Sequence, residues 1–493
     1  MNTGGDIPEV PGRPDEREPT RVGVDEWVAS VEDRREHGRG ITALARRIDA
    51  VVPPWARLAV FAGIAATLPF WMDRGELFAY GIFTLIYILL GLGLNIVVGY
   101  AGLLDLGYVA FFGFGAYFYA LLSSEHYGIH WPSAISIPIV VVSTALLGLV
   151  LGAPSRRLLG DYLAIVTLFF GQAFVVFVNA ANPTVHGQGL TGGPNGIADI
   201  DPNDLFGYDL TTRRQQYYFI LGVVVLVLIG LYFLSESRTG RAWRALREDP
   251  LAAEAMSIPV NRLKLMAFAF GAGIAGLAGC MFAAVLTAVT SGNFALPILI
   301  TIYAVVILGG IGSLTGVVIG AVVINVSFQF LAPENPQTSA RILFYAVIVL
   351  LLVAGVRPWW RLGVVLGGTV VFGFVAHAIA GAISASWTDG VVVEGGRLTG
   401  AISDWVIIPA GHEHFANAAY ITLVVAILTL TRIHGWWRTV LLPPTLYLAS
   451  IVWETSFVEN PAVARWILFG ALLVFLMTVR PQGLLGTPRV EIV

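Results

Sequence analysis

About fourteen apolar segments, most of them close to twenty residues long, run through this sequence. A helix of that length crosses the hydrocarbon part of a bilayer, and a helix pairs its own backbone N–H and C=O groups, as lipid requires. The pattern predicts an all-α fold, a polytopic transmembrane helix bundle of about 14 helices. The segments are approximately 57–73, 78–98, 105–122, 134–153, 162–180, 216–234, 264–288, 296–312, 316–332, 341–356, 362–383, 416–432, 439–455 and 464–480.

Arginine is distributed unevenly among the connections between these segments. Cations favour connections on the cytoplasmic side of a membrane. With a cytoplasmic N-terminus, that side holds Arg156, Arg157, the segment 235–264, Arg357, Arg361, Arg432, Arg438, Arg480 and Arg489. Few arginines occur in the longer connections on the other side, which are 123–133, 181–215, 289–295, 333–340, 384–415 and 454–463: Arg213, Arg214 and Arg397, with Arg341 and Arg465 at helix starts. The alternation predicts an even number of helices with both termini cytoplasmic.

The start of the chain differs from the rest in composition. Residues 1–55 are polar and rich in proline, and we expect a cytoplasmic tail there. The first apolar segment begins near Leu58, so no cleavable signal peptide is expected. The single cysteine, Cys280, lies in an apolar segment and excludes a disulfide framework within the chain.

The segment 235–264 separates two apolar segments and is the densest basic cluster outside the tail. Residues 238–248 favour a helix. Asp249 is placed to cap a second helix, because its side-chain oxygen can pair free N–H groups, and Pro250 suits the first turn. We expect Pro259 to end that helix. One side of it is made of small or flexible residues: Ala252, Ala253, Ala255 and Met256. Such an element fits a groove on a soluble partner, although a simple topology anchor is the alternative.

Two polar residues stand out within or beside the apolar segments. Asn95 is in the middle of its segment, and Asp105 begins the next one or lies at the membrane interface. Polar groups at membrane depth are costly and tend to mark a pathway.

Two glycine-rich stretches, 186–197 and 309–316, predict tight turns, and the exposed N–H groups of the first could bind a carboxylate. A plain structural loop is the alternative there.

Five motifs, in order, carry a resemblance to a known family. They are Leu94–Ser123 (LNIVVGYAGLLDLGYVAFFGFGAYFYALLS), Gly160–Gly171 (GDYLAIVTLFFG), Leu190–Ile197 (LTGGPNGI), the region Arg238–Gly279, and Val306–Ser313 (VILGGIGS). Together they resemble the M-type permease subunit of branched-chain amino-acid ABC importers. The resemblance implies a second homologous permease, two cytoplasmic ATPases and an extracytoplasmic substrate-binding protein as partners, and residence in the cell membrane among lipid.

The resemblance also implies roles for particular residues. The segment 235–264 matches the family's coupling loop, and we use that name for it below. Its expected contact residues are Arg244, Arg247, Glu248, Asp249, Glu254 and Ala255, with Glu254 and Ala255 at the acidic-alanine signature. The groups expected near the translocation path are Asn95, Asp105, Tyr162 and Gln172.

Three positions depart from the family pattern. Gln172 and Ile298 stand where the family commonly has glutamate, and Ser257 stands where it usually has glycine. The first two departures remove carboxylates, so the carried substrate is open to question. Relatives in the family carry urea or short amides, and a urea or amide permease is therefore the alternative to an importer of branched-chain amino acids.

The end of the chain repeats an earlier part of itself. Residues 330–358 resemble 456–481, with ENP at 334–336 and 459–461 and an Arg-Pro pair closing each stretch. We interpret 56–358 as the permease domain and 359–493 as additional transmembrane helices, a degenerate duplication of 293–358. Chance similarity between apolar helices is the alternative.

No catalytic constellation is present in the sequence. The eight histidines do not have metal-ligand spacing, no Walker lysine occurs, and no cofactor or nucleic-acid partner is expected. ATP hydrolysis would therefore belong to partner subunits. An ion-coupled transporter or channel is the alternative from a different class, but it would need titratable groups in mid-membrane, and His377 is the clearest one.

Overall fold

A computed structural model describes residues 54–155, 161–180, 184–185, 188–205, 207–330, 342, 344–349, 352–353, 359–388, 399–409, 413–433, 436–457, 466, 470 and 483. Contacts divide the chain into Met1–Arg57 and Leu58–Val493. The predicted tail, residues 1–55, lies outside the described residues except for its last two. The predicted segment 464–480 and both repeated stretches, 330–358 and 456–481, lie largely outside them, and the predicted segment 341–356 is described in part.

Helices dominate the described residues. They are α1 (Pro54–Trp71), α2 (Arg74–Tyr100), α3 (Tyr108–Leu122), α4 (Ser133–Ser155), α5 (Asp161–Ala180), α6 (Arg213–Glu236), α7 (Arg238–Glu248), α8 (Pro250–Ala255), α9 (Val260–Leu286), α10 (Leu296–Gly309), α11 (Leu314–Phe330), α12 (Trp359–Ile383), α13 (Thr399–Ser403), α14 (Glu413–Arg432) and α15 (Trp436–Val452). Among the described residues, 7 helices are long and apolar enough to cross a membrane, and further apolar helices are shorter. The prediction of a polytopic helical bundle is confirmed at that level.

Short non-helical elements occupy some connections between helices. Antiparallel hairpins pair β1 (Ser123–Ser124) with β2 (Ile129–His130), β3 (Thr184–Val185) with β4 (Gln188–Gly189), and β5 (Asp204–Leu205) with β6 (Tyr208–Asp209). Single 3₁₀ turns cover Gly193–Asn195, Ser291–Phe294 and Ala385–Trp387, and a π-helical turn covers Trp453–Phe457. All three hairpins connect helices at the end of the bundle away from α7 and α8.

The centre of the bundle is α9, which packs against α2, α3 and α4. Glycine makes these contacts close, because a helix without side chains at the crossing can bring its backbone against a neighbour. Gly115 of α3 lies directly on the backbone of Gly276 in α9, and Gly279 lies on the backbone of α3 at Phe112 and Ala116. Dispersion forces and interdigitation between helices hold such a core together in lipid.

Replacing Gly115 with valine should lower the thermal unfolding midpoint of the full chain in detergent. The new side chain would meet the Gly276 backbone, which has no flexible end to move aside, and overpacking of this kind costs about 1–3 kcal/mol. The matched control is Gly230→Val on α6, where nothing lies within 4 Å. Equal midpoints for the two variants would contradict the close α3–α9 crossing.

The helices after residue 358 contribute most of a second buried cluster, on which Tyr345 also packs. Ile402, Val406, Tyr447 and Ile451 are members of a buried cluster separate from the one around α9. Within it α12 and α14 both pack on α15. This separate core is compatible with an additional C-terminal unit, and the proposed duplication stays a prediction.

The last part of the chain nevertheless returns to the permease helices. The rings of Trp466 and Phe328 of α11 meet edge to face, with centroids 5.4 Å apart. Gly483, at a φ of +76°, lies so close to the Ile307 carbonyl and to Gly310 that no side chain would fit. The region beyond residue 358 is therefore in contact with α10 and α11 at its C-terminal end.

Candidate functional site

The connection between α2 and α3 is a break in helical structure inside the bundle. The last part of α2, Asn95–Tyr100, is a π-helical stretch, an arrangement often found at functional sites. Gly102 follows with a φ of +69°, a conformation that favours glycine. Helix α3 then begins at Tyr108. The membrane segment expected at approximately 105–122 is therefore helical from Tyr108, because the residues just before it form a turn. We call residues 95–107 the helix break.

Asn95 ties the helix break to the turn between α10 and α11. Its side chain is fully buried, and its Oδ1 accepts a hydrogen bond from the Gly312 N–H at 2.8 Å. Its Nδ2 has no partner among the described residues. Gly99 lies against the same side chain, with no room for a Cβ. Asn95 is thus held on one side and keeps an unused donor on the other.

Asp105 is buried within the helix break, at 1% exposure, and does not lie at a solvated interface. Its Oδ1 accepts a hydrogen bond from the Gly107 N–H at 3.0 Å, and its Oδ2 has no partner within the described ranges. The Tyr303 hydroxyl of α10 donates to the Asp105 carbonyl at 2.6 Å. A carboxyl group with a free oxygen in this environment is costly, which marks it as a candidate for function.

Helix α5 holds the other side of the helix break through Thr167. The Thr167 Oγ1 accepts a hydrogen bond from the Leu106 N–H at 3.0 Å, and Gly107 lies against the Thr167 backbone. Thr167 and Tyr303 were not among the residues predicted from the sequence. A hydroxyl within the GDYLAIVTLFFG motif was a signal for Thr167, whereas a lone tyrosine in an apolar segment gave none for Tyr303.

Tyr162 and Gln172 lie on α5 and differ from Asn95 and Asp105 in burial. Both are exposed, and they share with Phe169 a stripe of helix surface that no described residue covers. Tyr162 and Phe169 are each 71% exposed. The predicted path residues therefore form two groups, one buried in the helix break and one on an open face of the helix that supports it.

The coupling loop forms two helices, and its anchor is Trp243. This side chain is fully buried, and its Nε1 donates to the Leu263 carbonyl at 2.9 Å. The Ser237 hydroxyl caps α7 by accepting from the Gly240 N–H at 3.3 Å. Lys264, the last residue of the loop, is buried. The loop is thus fastened at both ends to α6 and α9.

The predicted cap of the second helix is confirmed. The Asp249 carboxylate accepts hydrogen bonds from the Leu251 and Ala252 N–H groups at 2.8 and 3.1 Å, and Pro250 occupies the first turn of α8. The predicted end of the helix was wrong. Helix α8 ends at Ala255 because Ser257 adopts a left-handed conformation (φ 63°), and Pro259 instead precedes α9.

Most of the rest of the loop is exposed. Glu248, Glu254 and Ala255 are all exposed, whereas Ala253 is buried against the protein. Leu251 and Met256 are each 78% exposed, which leaves two apolar side chains in the open beside two carboxylates. The surface made by residues 248–252 and 254–257 has the mixed character of a docking site.

Two arginines of α7 make different contacts. Arg244 donates to the Ser235 carbonyl at 3.1 Å, a bond that stays within the coupling loop. Arg247 donates to the Gly99 carbonyl at 2.7 Å and packs against Gly102. Arg247 therefore connects the coupling loop to the helix break. Gly99 packs against the Asn95 side chain, and Asn95 accepts the bond from Gly312, so a series of contacts links the loop, α2 and the α10–α11 turn.

The glycine-rich loop is tightly turned over its described residues, 188–197, as predicted. Gly192, Gly193 and Gly196 have positive φ, and a side chain on Gly196 would strike the Val289 backbone. Nearby, the His130 ring and the Asp201 carboxylate lie 2.6 Å apart, and this hydrogen bond raises the pKa of His130. Carboxylate binding by this loop stays a prediction.

In the part of the chain that the structure describes, no three His, Cys, Asp or Glu side chains form a metal site.

The long apolar helices define a multi-pass membrane protein. Residues 77–354 match the family described as the permease component of branched-chain amino acid transport systems, and the chain belongs to this family. It is a transport permease subunit and not an enzyme.

Two relatives illustrate the similarity to known permeases. The chain is 38% identical over 295 residues to the high-affinity branched-chain amino acid transport system permease protein LivM of Salmonella typhimurium, covering 55% of this chain and 67% of LivM. It is 28% identical over 201 residues to the probable branched-chain amino acid transport permease protein LivH of Methanocaldococcus jannaschii, covering 39% and 61%. No solved structure matches the chain.

Proposed function

We propose that this chain is a transmembrane permease subunit of an ATP-driven importer that moves branched-chain amino acids into the cytoplasm. The bond from Arg247 to the Gly99 carbonyl is the single observation that carries the mechanism. It gives the coupling loop direct contact with a buried, partly non-helical element. The printed names of the relatives support the substrate class.

The proposed partners follow from the family. A second homologous permease would complete the membrane part, two cytoplasmic ATPases would supply ATP hydrolysis, and an extracytoplasmic binding protein would deliver substrate. About 14 helices with both termini cytoplasmic is the topology that suits this arrangement. The exposed α5 stripe with Tyr162 and Gln172 is where we place the face toward the second permease and the shared path.

In the proposed mechanism the ATPases close on ATP and carry the docked coupling loop with them. The exposed surface around Glu254 and Ala255 binds the ATPase groove, and the buried Trp243 makes the loop move as one body. Helices α6 and α9, joined to its ends, tilt with it. Arg247 passes the same movement to the helix break, where Asn95 and Asp105 respond, and the path opens to the other side.

Labelled leucine should accumulate in vesicles that hold the whole complex and ATP, and labelled urea should not. The helix break offers amide and carboxyl groups among apolar side chains, which suits a small zwitterion with an apolar side chain. Vesicles without ATP are the control. Accumulation of urea without leucine would overturn the amino-acid assignment and favour a urea or amide permease, with Gln172 and Ile298 as the first positions to vary.

Uptake driven by an ion gradient alone would favour the alternative class. A secondary transporter carries its coupling ion on titratable groups in mid-membrane. The exposed coupling loop has no role in such a protein, which is why we rank the ATP-driven importer first. Collapsing the proton and sodium gradients with ionophores, at constant ATP, separates the two classes.

A further inference from the structure

A cavity of about 350 Å³ opens at the end of α6 far from the coupling loop. It lies between the α1–α2 connection and the start of α6. Its lining consists of Met72, Asp73, Arg74, Leu77, Thr212 and Arg214. Helix α6 has 24 residues, so at about 1.5 Å per residue the cavity lies roughly 36 Å along the helix from α7.

The arginines near this cavity divide into one with partners and two without. Arg213 lies over the Phe78 ring, 4.5 Å from its centroid, and donates to the Val285 carbonyl at 2.9 Å. The guanidinium groups of Arg74 and Arg214 make no ion pair or hydrogen bond with any residue that the structure describes. Both line the cavity. Two cations thus line the same cavity, and no described carboxylate is bonded to either of them.

The neighbouring residues set the depth of this cavity in a membrane. Phe70 and Trp71, at the end of α1, are 77% and 85% exposed. Large aromatic side chains with this exposure at a helix end are typical of the boundary between hydrocarbon and water. The cavity follows them within a few residues in the chain, at the level where lipid headgroups lie.

The chemistry of the lining identifies the ligand. Guanidinium groups recognise phosphate through charge-assisted hydrogen bonds, and the Thr212 side chain adds a hydroxyl group. Asp73 contributes the one acidic group of the lining, so two arginines and one aspartate leave one net positive charge (2 − 1 = 1). We propose that Arg74 and Arg214 bind the phosphate group of an anionic phospholipid in this cavity.

The test measures lipid retention by the full chain. Wild-type protein and an Arg74→Gln, Arg214→Gln double variant are purified in detergent, mixed with phosphatidylglycerol and analysed by native mass spectrometry. The matched control is Arg262→Gln, which removes an exposed arginine of the coupling loop. We expect the double variant to retain about tenfold less phosphatidylglycerol, as loss of about 1.4 kcal/mol of binding would give, and the control to retain as much as wild type.

Further arms distinguish the source of the phosphate and guard against misfolding. Phosphatidylglycerol should raise the thermal midpoint of wild type and of the Arg262→Gln variant, while millimolar inorganic phosphate alone should not. An Arg74→Lys, Arg214→Lys variant keeps the charges and should regain part of the retention. Equal retention by wild type and the glutamine variant overturns the proposal, and so does protection by inorganic phosphate without lipid retention.

Discussion

A Glu254→Arg, Ala255→Trp double variant should lose substrate uptake by about 30-fold or more while the permease stays folded. Both residues are exposed on the coupling loop, and neither supports the interior. A large side chain and a reversed charge in a packed interface cost about 2 kcal/mol or more, which corresponds to roughly 30-fold. Uptake and ATP hydrolysis are measured on the complex reconstituted in liposomes, and uptake per ATP hydrolysed should fall.

The matched control is Asp209→Arg, Tyr208→Trp at the far end of α6. These residues form β6 and are also exposed, so the control introduces the same arginine and tryptophan on the surface at a different location. The control should transport as wild type does. Normal uptake and normal ATP coupling in the coupling-loop variant would remove residues 254–255 from the mechanism.

An Arg247→Met variant should hydrolyse ATP but transport at least about tenfold less substrate than wild type. The methionine keeps most of the apolar stem and removes the donor that binds the Gly99 carbonyl at 2.7 Å. Hydrogen bonds from charged groups contribute about 1.5–3 kcal/mol to stability. Without this bond, the contact between the coupling loop and the helix break would be weaker by about that amount. Uptake and hydrolysis are measured together in the same liposomes.

Arg244→Met provides the comparison for this prediction. Arg244 also donates to a backbone carbonyl, but that carbonyl belongs to Ser235 within the coupling loop, at 3.1 Å. Loss of the Arg244 bond would weaken the loop but leave the bond from Arg247 to Gly99 of α2 in place. Equal loss of uptake in the two variants would argue that Arg247 acts only through loop stability.

Local signals predicted the local features well. Asp249 followed by proline predicted the start of α8, and the structure has both the cap and the helix. The glycine-rich stretch at 309–316 predicted the turn between α10 and α11. The end of α8 was misjudged because Pro259 is a strong helix breaker, whereas the left-handed conformation of Ser257 has no reliable sequence signal.

The contacts that give the site its form could not be predicted, because they join residues far apart in the chain. Tyr303 is 198 residues from Asp105, and Gly312 is 217 residues from Asn95. The sequence indicated that Asn95 and Asp105 were unusual but not what they bind. It also placed Tyr162 and Gln172 with them, although burial separates the two pairs.

The contact of Gly483 with Ile307 and Gly310 can form only late in the synthesis of this protein. The ribosome must add 173 residues after Gly310 (483 − 310 = 173) before Gly483 exists. At about 5–20 residues per second this takes roughly 10–35 s. During that time the α10–α11 turn can form its hydrogen bond to Asn95 but not its contact with Gly483. A chain that ends before residue 483 cannot make this contact with the α10–α11 turn.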